Sequence, residues 1–275
     1  MSYANYQSRR LPWVVRYVSD LLRYRHLCWN LVASNLRARF RRSSLGLLWA
    51  VLQPLGYALV IAWAWAAVLR ADSYWEFAVY VFSGMLVWEA VSNTLTASLD
   101  GLGSSVGYLR QGRIPLLVFQ VRAPLTSMVV LMAGLLGLLG FMVALQQVPP
   151  IGQHLLLVPA FLLVLPMFLI PLAIVFSLLG ALFRDLGHIT TLGLQALFFL
   201  SPVMLDREIM NEPHLAVLKY GNPMVPLLDL FRGPLLYGKF WDPTEVITLA
   251  VWIVSLWTAA IIVSVQQGRR IVFAL

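Results

Sequence analysis

Few residues in this chain could do bond-making chemistry, and their spacing does not group them. The four histidines, His26, His154, His188 and His214, are scattered. None falls in an HExxH pattern that would put two metal ligands on one helix face. There is no GxSxG elbow to present a nucleophilic serine and no GxxxxGK[ST] loop to cradle a nucleotide phosphate. Paired intramembrane aspartates, or a serine and histidine set for proteolysis, are equally missing. Cys28 is the single cysteine, so neither an intrachain disulfide nor a cysteine-based metal site is expected. It reads as a small apolar residue on a helix face. Asp206, Glu208 and Glu212 cluster in one polar stretch, which leaves a membrane glycosyltransferase conceivable, although no metal-binding acidic pair is marked. Catalytic residues and resident metals or cofactors are therefore expected to be none.

Two other kinds of residue stand out. Arginines crowd the N-terminal forty-odd positions: Arg9, Arg10, Arg16, Arg23 and Arg25, then Arg37, Arg39, Arg41 and Arg42 directly before an uncharged run. Aromatic residues recur inside the apolar stretches: Tyr57, Trp63, Trp65, Tyr80 and Trp88, with Glu89 beside the last. Such aromatics fit first the belt that settles at lipid headgroups; a functional role is the second reading. An ionisable Glu89 amid apolar residues should face protein or water rather than lipid. It could line a path, pair with an arginine, or stay neutral and hydrogen-bonded.

The elements that must position these residues are membrane helices. Of 275 residues 60% are hydrophobic and 12% charged, with a mean hydropathy of +0.79. Soluble domains carry roughly 25% charged residues. A run of ~20 apolar residues crosses the ~30 Å hydrocarbon layer. The sequence predicts an all-α polytopic membrane protein with six spans at about 45–69, 77–99, 123–145, 155–182, 189–205 and 244–266. Pro54, Pro166 and Pro171 are expected to kink their spans. Gly134, Gly137 and Gly140 allow close helix approach. Residues 1–44 form a cytoplasmic segment with no visible signal peptide. Within it, 23–41 has the basic and Trp/Leu/Phe faces of a helix lying in the membrane interface; packing against protein is the alternative. A short helix is expected near 104–111. Residues 206–237, too short and too polar to cross, read as an external re-entrant or interfacial pair.

The net charge of +8 does not indicate nucleic acid, because the basic residues follow topology. With six spans and both termini inside, fifteen Lys/Arg lie on the inner side and five (Arg70, Arg207, Lys219, Arg232, Lys239) outside. That is the positive-inside bias, with anionic lipid headgroups as further partners of the N-terminal arginines. Without a phosphate cradle, energy for any transport must come from an ion gradient or a partner ATPase. Basic inner patches suit docking of such a partner.

Four stretches, RARFRRSSLGLLWAVLQPL (37–55), YVFSGMLVWEAVSNTL (80–95), LFRDLGHITTLGLQALFFLSPVM (182–204) and YGNPMVPLLDLFRGPLL (220–236), carry a resemblance over nearly the whole chain. In this order they resemble the permease subunit of type-2 ABC exporters for cell-surface polysaccharides, the group that exports O-antigen and teichoic acid. The FRD at 183–185 resembles the O-antigen and teichoic acid branch. Glu89 departs from the asparagine common in relatives. The resemblance implies a homodimer in a bacterial inner membrane, bound to two copies of an ABC ATPase that uses ATP and Mg²⁺. It makes 23–41 the interface helix and 104–111 the coupling helix. Tyr108, Arg110, Arg113, Arg184 and Asp185 then face the ATPase, and 206–237 forms external gate helices. The channel would lie between protomers, mainly from the first and fifth spans, and would pass a lipid-linked polysaccharide. Capsule or teichoic acid cargo, an ion-coupled flippase and a membrane glycosyltransferase are the other readings.

Overall fold

A computed structural model of the chain describes residues 23–41, 43–66, 74–105, 107, 114–183, 185–203 and 216–274. Every regular element among the described residues is helical: α1 Arg25–Arg39, α2 Trp49–Ala66, α3 Tyr74–Leu99, α4 Leu116–Gln120, α5 Arg122–Ala144, α6 Leu157–Leu182, α7 Leu186–Phe199, α8 Ala216–Gly221, α9 Met224–Leu236 and α10 Pro243–Ala274. Short 3-10 turns at Gly46–Leu48 and Gln153–Leu156 lead into α2 and α6. Four segments are long and apolar enough to cross a membrane: Gly46–Trp65, Leu116–Ala144, Gln153–Leu182 and Pro243–Gln266.

α3 is the axis of the bundle. It packs against α2, α5, α6, α7 and α9. This position explains its composition. Ser83, Thr94 and Ser98 are buried, yet each hydroxyl donates to a backbone carbonyl three or four residues earlier. Protein-facing helix can therefore be more polar than lipid-facing helix without leaving polar groups unpaired. The main core joins α3 to α5, α6 and α9 through Phe82, Leu86, Leu131, Leu138, Phe161, Leu165, Phe168 and Phe231.

Close approach in the bundle follows the glycines of α5 in part. A Cβ at Gly134 would strike Leu86 of α3, and one at Gly137 would strike Val51 of α2, whereas Gly140 faces open space. Two prolines are compensated by tryptophans from later in the chain. Pro171 has no N–H to offer the Met167 carbonyl four residues back; Trp257 Nε1 of α10 donates to it at 3.0 Å. Pro234 leaves the Leu230 carbonyl in the same state, and Trp241 Nε1 donates there at 2.9 Å.

α10 begins where Asp242-Pro243-Thr244-Glu245 writes a helix start. Asp242 Oδ1 accepts from the Thr244 N–H at 2.8 Å, and Pro243 occupies the first helical position. One boundary differs from the sequence reading. α7 is only 14 residues and ends at Phe199 rather than near 205, because Ser201 and Pro202 turn the chain before a further helical turn can form. α10 is helical on to Ala274, while its apolar spanning part, Pro243–Gln266, ends at the expected 266.

The bundle has two distinct ends. At one, α1 packs on α5 and α4, and its Cys28 and Leu31 join a buried cluster with Leu117, Phe119, Ile174, Leu178 and Ala260. Trp29 lies on the opposite, exposed face at 64%. α1 thus packs on its own bundle through one stripe and leaves Arg25, Arg37 and Arg39 exposed. Burial pushes the Cys28 thiol above its ordinary range. At the other end, α9 sits among α3, α6 and α10. It is 13 residues long with nearly every side chain buried.

Candidate functional site

α2, α3 and α7 enclose a groove of about 380 Å³. α2 contributes Tyr57 and Ile61. α3 contributes Met85, Trp88, Ser92 and Thr96. α7 contributes Thr191, Leu194, Gln195, Phe198 and Phe199. These positions recur at helical spacing, so each helix presents one face. The antiparallel run of α3 and α7 sorts the lining by chemistry. Trp88, Phe198 and Phe199 gather toward the α9 end, and Ser92, Thr96, Thr191 and Gln195 toward the α1 end.

The aromatic half is held by ring contacts. Trp88 meets Phe198 edge-on at a centroid distance of 5.2 Å, and Phe198 meets Phe199 at 5.6 Å. In the polar half the hydroxyl protons are already committed. Thr191 Oγ1 donates to the Gly187 carbonyl at 2.9 Å, and Thr96 Oγ1 to the Ser92 carbonyl at 2.9 Å. Each retains lone pairs that accept a hydrogen bond from a ligand hydroxyl, while the Gln195 amide both donates and accepts. The groove therefore offers apolar ring faces and neutral polar groups without a formal charge in its lining.

The sequence candidates distribute unevenly around it. Tyr57 and Trp88 line the groove. Trp63 is 78% exposed, because it lies two residues beyond Ile61 and so about 200° around α2. Trp65 is also exposed and outside the lining. Tyr80 is drawn away to α9: its ring lies 3.6 Å from the Arg232 guanidinium carbon, and its hydroxyl donates to the Pro202 carbonyl at 3.2 Å. Glu89 is half-buried beside the groove and lies within electrostatic reach of Arg39 on α1. Asp185 is exposed at the start of α7. Arg37 and Arg41 are exposed near the end of α1. Arg42, Tyr108, Arg110, Arg113 and Arg184 lie outside the described residues, as do most of the expected 104–111 helix and the first part of 206–237. Among the described residues, His, Cys, Asp and Glu side chains form no group of three that could hold a metal ion.

Sequence reasoning passed over the α7 lining. Its signal was present: Thr191, Gln195 and Phe198 fall at i, i+4 and i+7, an unusual face of hydroxyl, amide and ring in an apolar helix. Arg232 was noted only as a charge in a segment too short to cross. It is 3% exposed, the centre of a hydrogen-bonded knot treated below.

Four helices long and apolar enough to cross a membrane, packed beside a groove of aromatic and neutral polar side chains, define a helical membrane protein. Residues 26–236 match the ABC-2 type transporter family, and the chain belongs to that family. It is 29% identical over 263 residues to the O-antigen export system permease protein RfbA of Myxococcus xanthus, covering 95% of this chain and 99% of that protein. Two proteins of the same name from Klebsiella pneumoniae are each 23% identical over 238 residues, 84% of this chain and 86% of theirs.

Proposed function

We propose that this chain is the permease subunit of an ATP-driven exporter that carries lipid-linked polysaccharide, O-antigen, across a bacterial inner membrane. The observation that carries the reading is the similarity to O-antigen export permeases along 95% of the chain. The groove chemistry supports it. A sugar polymer offers weakly apolar ring faces and many hydroxyls, so Trp88, Phe198 and Tyr57 provide stacking surface. Thr191, Gln195, Ser92 and Thr96 exchange hydrogen bonds with its hydroxyls. A lining without formal charge lets the polymer slide, since no one position binds it strongly.

In this proposal the chain crosses the membrane six times with both termini cytoplasmic. α3 is the second span and α7 with its following turn the fifth, while α9, too short to cross, is part of the external gate segment 206–237. The exposed faces of α2 and α7, with Tyr57, Trp63, Leu192 and Phe199, support a homodimer whose path runs between first and fifth spans. α1 is the interface helix; its exposed arginines favour anionic headgroups. Two copies of a separate ABC ATPase bind below, against the 104–111 helix with Tyr108, Arg110 and Arg113 and against the return at Arg184 and Asp185. ATP and Mg²⁺ are used there and not by this chain. Hydrolysis is thus the partner's chemistry, and this subunit supplies the path.

The test is co-purification with the ATPase, reconstitution, and comparison of ATP turnover between wild type and the charge reversal Arg110→Glu/Arg113→Glu. A stable complex whose turnover falls on reversal fits the proposal. A wild-type chain that binds no ABC ATPase would instead favour the ion-coupled or enzymatic readings.

A further inference from the structure

Nothing in the transport reading uses Arg232, yet its guanidinium is where three elements meet. α9 carries it into the bundle, and its fork spreads over two neighbours. Toward α3, Nε donates to Ser83 Oγ at 3.0 Å and Nη2 to the Tyr80 carbonyl at 2.8 Å. Toward the turn that ends α7, Nη1 donates to the Pro202 carbonyl and Nη2 to the Val203 carbonyl at 2.7 Å. The Tyr80 ring covers one face of the cation. The space is cut to fit, since a Cβ at Gly84 would strike Nη2 and lie 2.8 Å from the Val203 oxygen.

α3 and α7 are also two of the three walls of the groove. Ser83 stands two residues before the groove residue Met85, and Pro202 three residues after Phe199. Arg232 therefore bridges the walls just past the aromatic end of the groove, and the walls cannot part there unless one arm of the bridge breaks. The α7 arm has a second anchor. Asn222 Nδ2 donates to the Leu200 carbonyl at 3.1 Å and to Ser201 Oγ at 2.9 Å. Asn222 thus satisfies the Leu200 carbonyl that the C-terminus of α7 leaves unpaired, Arg232 the Pro202 and Val203 carbonyls of the turn beyond it, and the cation sits near the negative end of that helix. The end of α7 and the α8–α9 segment are tied as one body. The α3 arm, made of the Ser83 hydroxyl, a shared carbonyl, and Tyr80, whose ring covers the cation and whose hydroxyl reaches the Pro202 carbonyl, is the seam that can open.

We propose that Arg232 is a positioning residue that sets the width of the groove's aromatic mouth: bonded to Ser83 and Tyr80 it holds the mouth narrow, and release of that arm lets α7 and α9 swing from α3 together. The inference rests on the reading of the groove as the polymer's path.

The test needs neither polymer nor ATPase. The full-length permease is reconstituted in vesicles loaded with a radiolabelled neutral disaccharide, efflux is timed, and the melting point is taken in detergent. Ser83→Ala removes one bond of the α3 arm, and Arg232→Lys keeps the charge but loses the fork. Trp241→Phe removes a hydrogen bond from elsewhere on α9 and is the control for stability alone. Efflux is expected to rise about fivefold in Ser83→Ala, the population shift that one lost hydrogen bond gives. It should rise at least as much in Arg232→Lys and stay at the wild-type rate in Trp241→Phe. Wild-type efflux in both bridge variants would overturn the proposal. So would efflux that tracks melting point in all three variants, because Arg232 would then be a structural cap. Failure to bind an ATPase would remove the transport reading while leaving this efflux result legible by itself.

Discussion

At the scale of the residue, the sequence announces types but not partners. Arg232 is visible as a charge between Phe231 and Gly233, but the groups that make its burial tolerable lie 149 and 152 residues earlier in the chain, at Ser83 and Tyr80. A buried guanidinium is stable only when its donors are met, and no local pattern reveals that. Gly84 is the residue that makes room. Gly84→Ala is expected to displace Nη2 from the Tyr80 and Val203 carbonyls and to cost about 3 kcal/mol, the scale of lost hydrogen bonds to a buried charge; chemical denaturation in detergent measures it. Within the groove the same limit holds in milder form. Tyr57 and Trp88 were legible because aromatics in apolar runs invite the question, but Trp63 was legible as a type and not as a direction. Cys28 is a case where type and place agree. Since burial raises its pKa, the reactive thiolate is scarcer at any given pH than on a free thiol. Maleimide labelling at pH 7 to 8 is expected to be slow in the folded protein, to quicken as the pH rises, and to complete on denaturation.

At the scale of the element, spans were legible because length and hydropathy carry them. The helices α5, Arg122–Ala144, and α6, Leu157–Leu182, begin and end within about two residues of the apolar runs 123–145 and 155–182, which Arg122 and the charged return at 183–185 delimit. What could not be read is how helices repair one another. The sequence says that Pro171 orphans the Met167 carbonyl and Pro234 the Leu230 carbonyl, but not that Trp257 and Trp241 would arrive from later in the chain. This repair predicts a measurable coupling. Trp257→Phe should destabilise by about 1 kcal/mol, the usual worth of a hydrogen bond between membrane helices. In the Pro171→Ala background the new N–H can satisfy Met167 itself, so the same substitution should cost nearly nothing. A double-mutant cycle in thermal or denaturant melts reads the difference. Additive costs would mean that the tryptophan contributes packing alone. The ends of elements were harder still, since α7 stops at Phe199 through a turn that Arg232 and Asn222 hold from the outside.

At the scale of the whole molecule, the two ends of the bundle carry different chemistry. Among the described residues, the α1 end exposes Arg25, Arg37, Arg39 and Arg41, whereas the exposed or half-exposed cations at the α9 end are Lys219 and Lys239. Cations near span ends are retained on the cytoplasmic side during insertion, and the proposed orientation, with the α1 end inside, would turn the groove's polar hydroxyls toward the cytoplasm and its aromatic rings toward the outside. A polymer entering from below would meet hydrogen-bonding groups first and stacking surface second, and the Arg232 bridge would lie at the exit. The orientation can be tested apart from transport. In a Cys28→Ala background, Ser34→Cys places a thiol on the exposed face of α1 and Lys239→Cys places one in the exposed loop after α9. A membrane-impermeant thiol reagent added to intact cells with a permeabilised outer envelope should label position 239 directly and position 34 only once the inner membrane is opened. Labelling in the reverse order would invert the molecule, placing the aromatic mouth and its bridge at the entrance and turning the proposed exit gate into an intake.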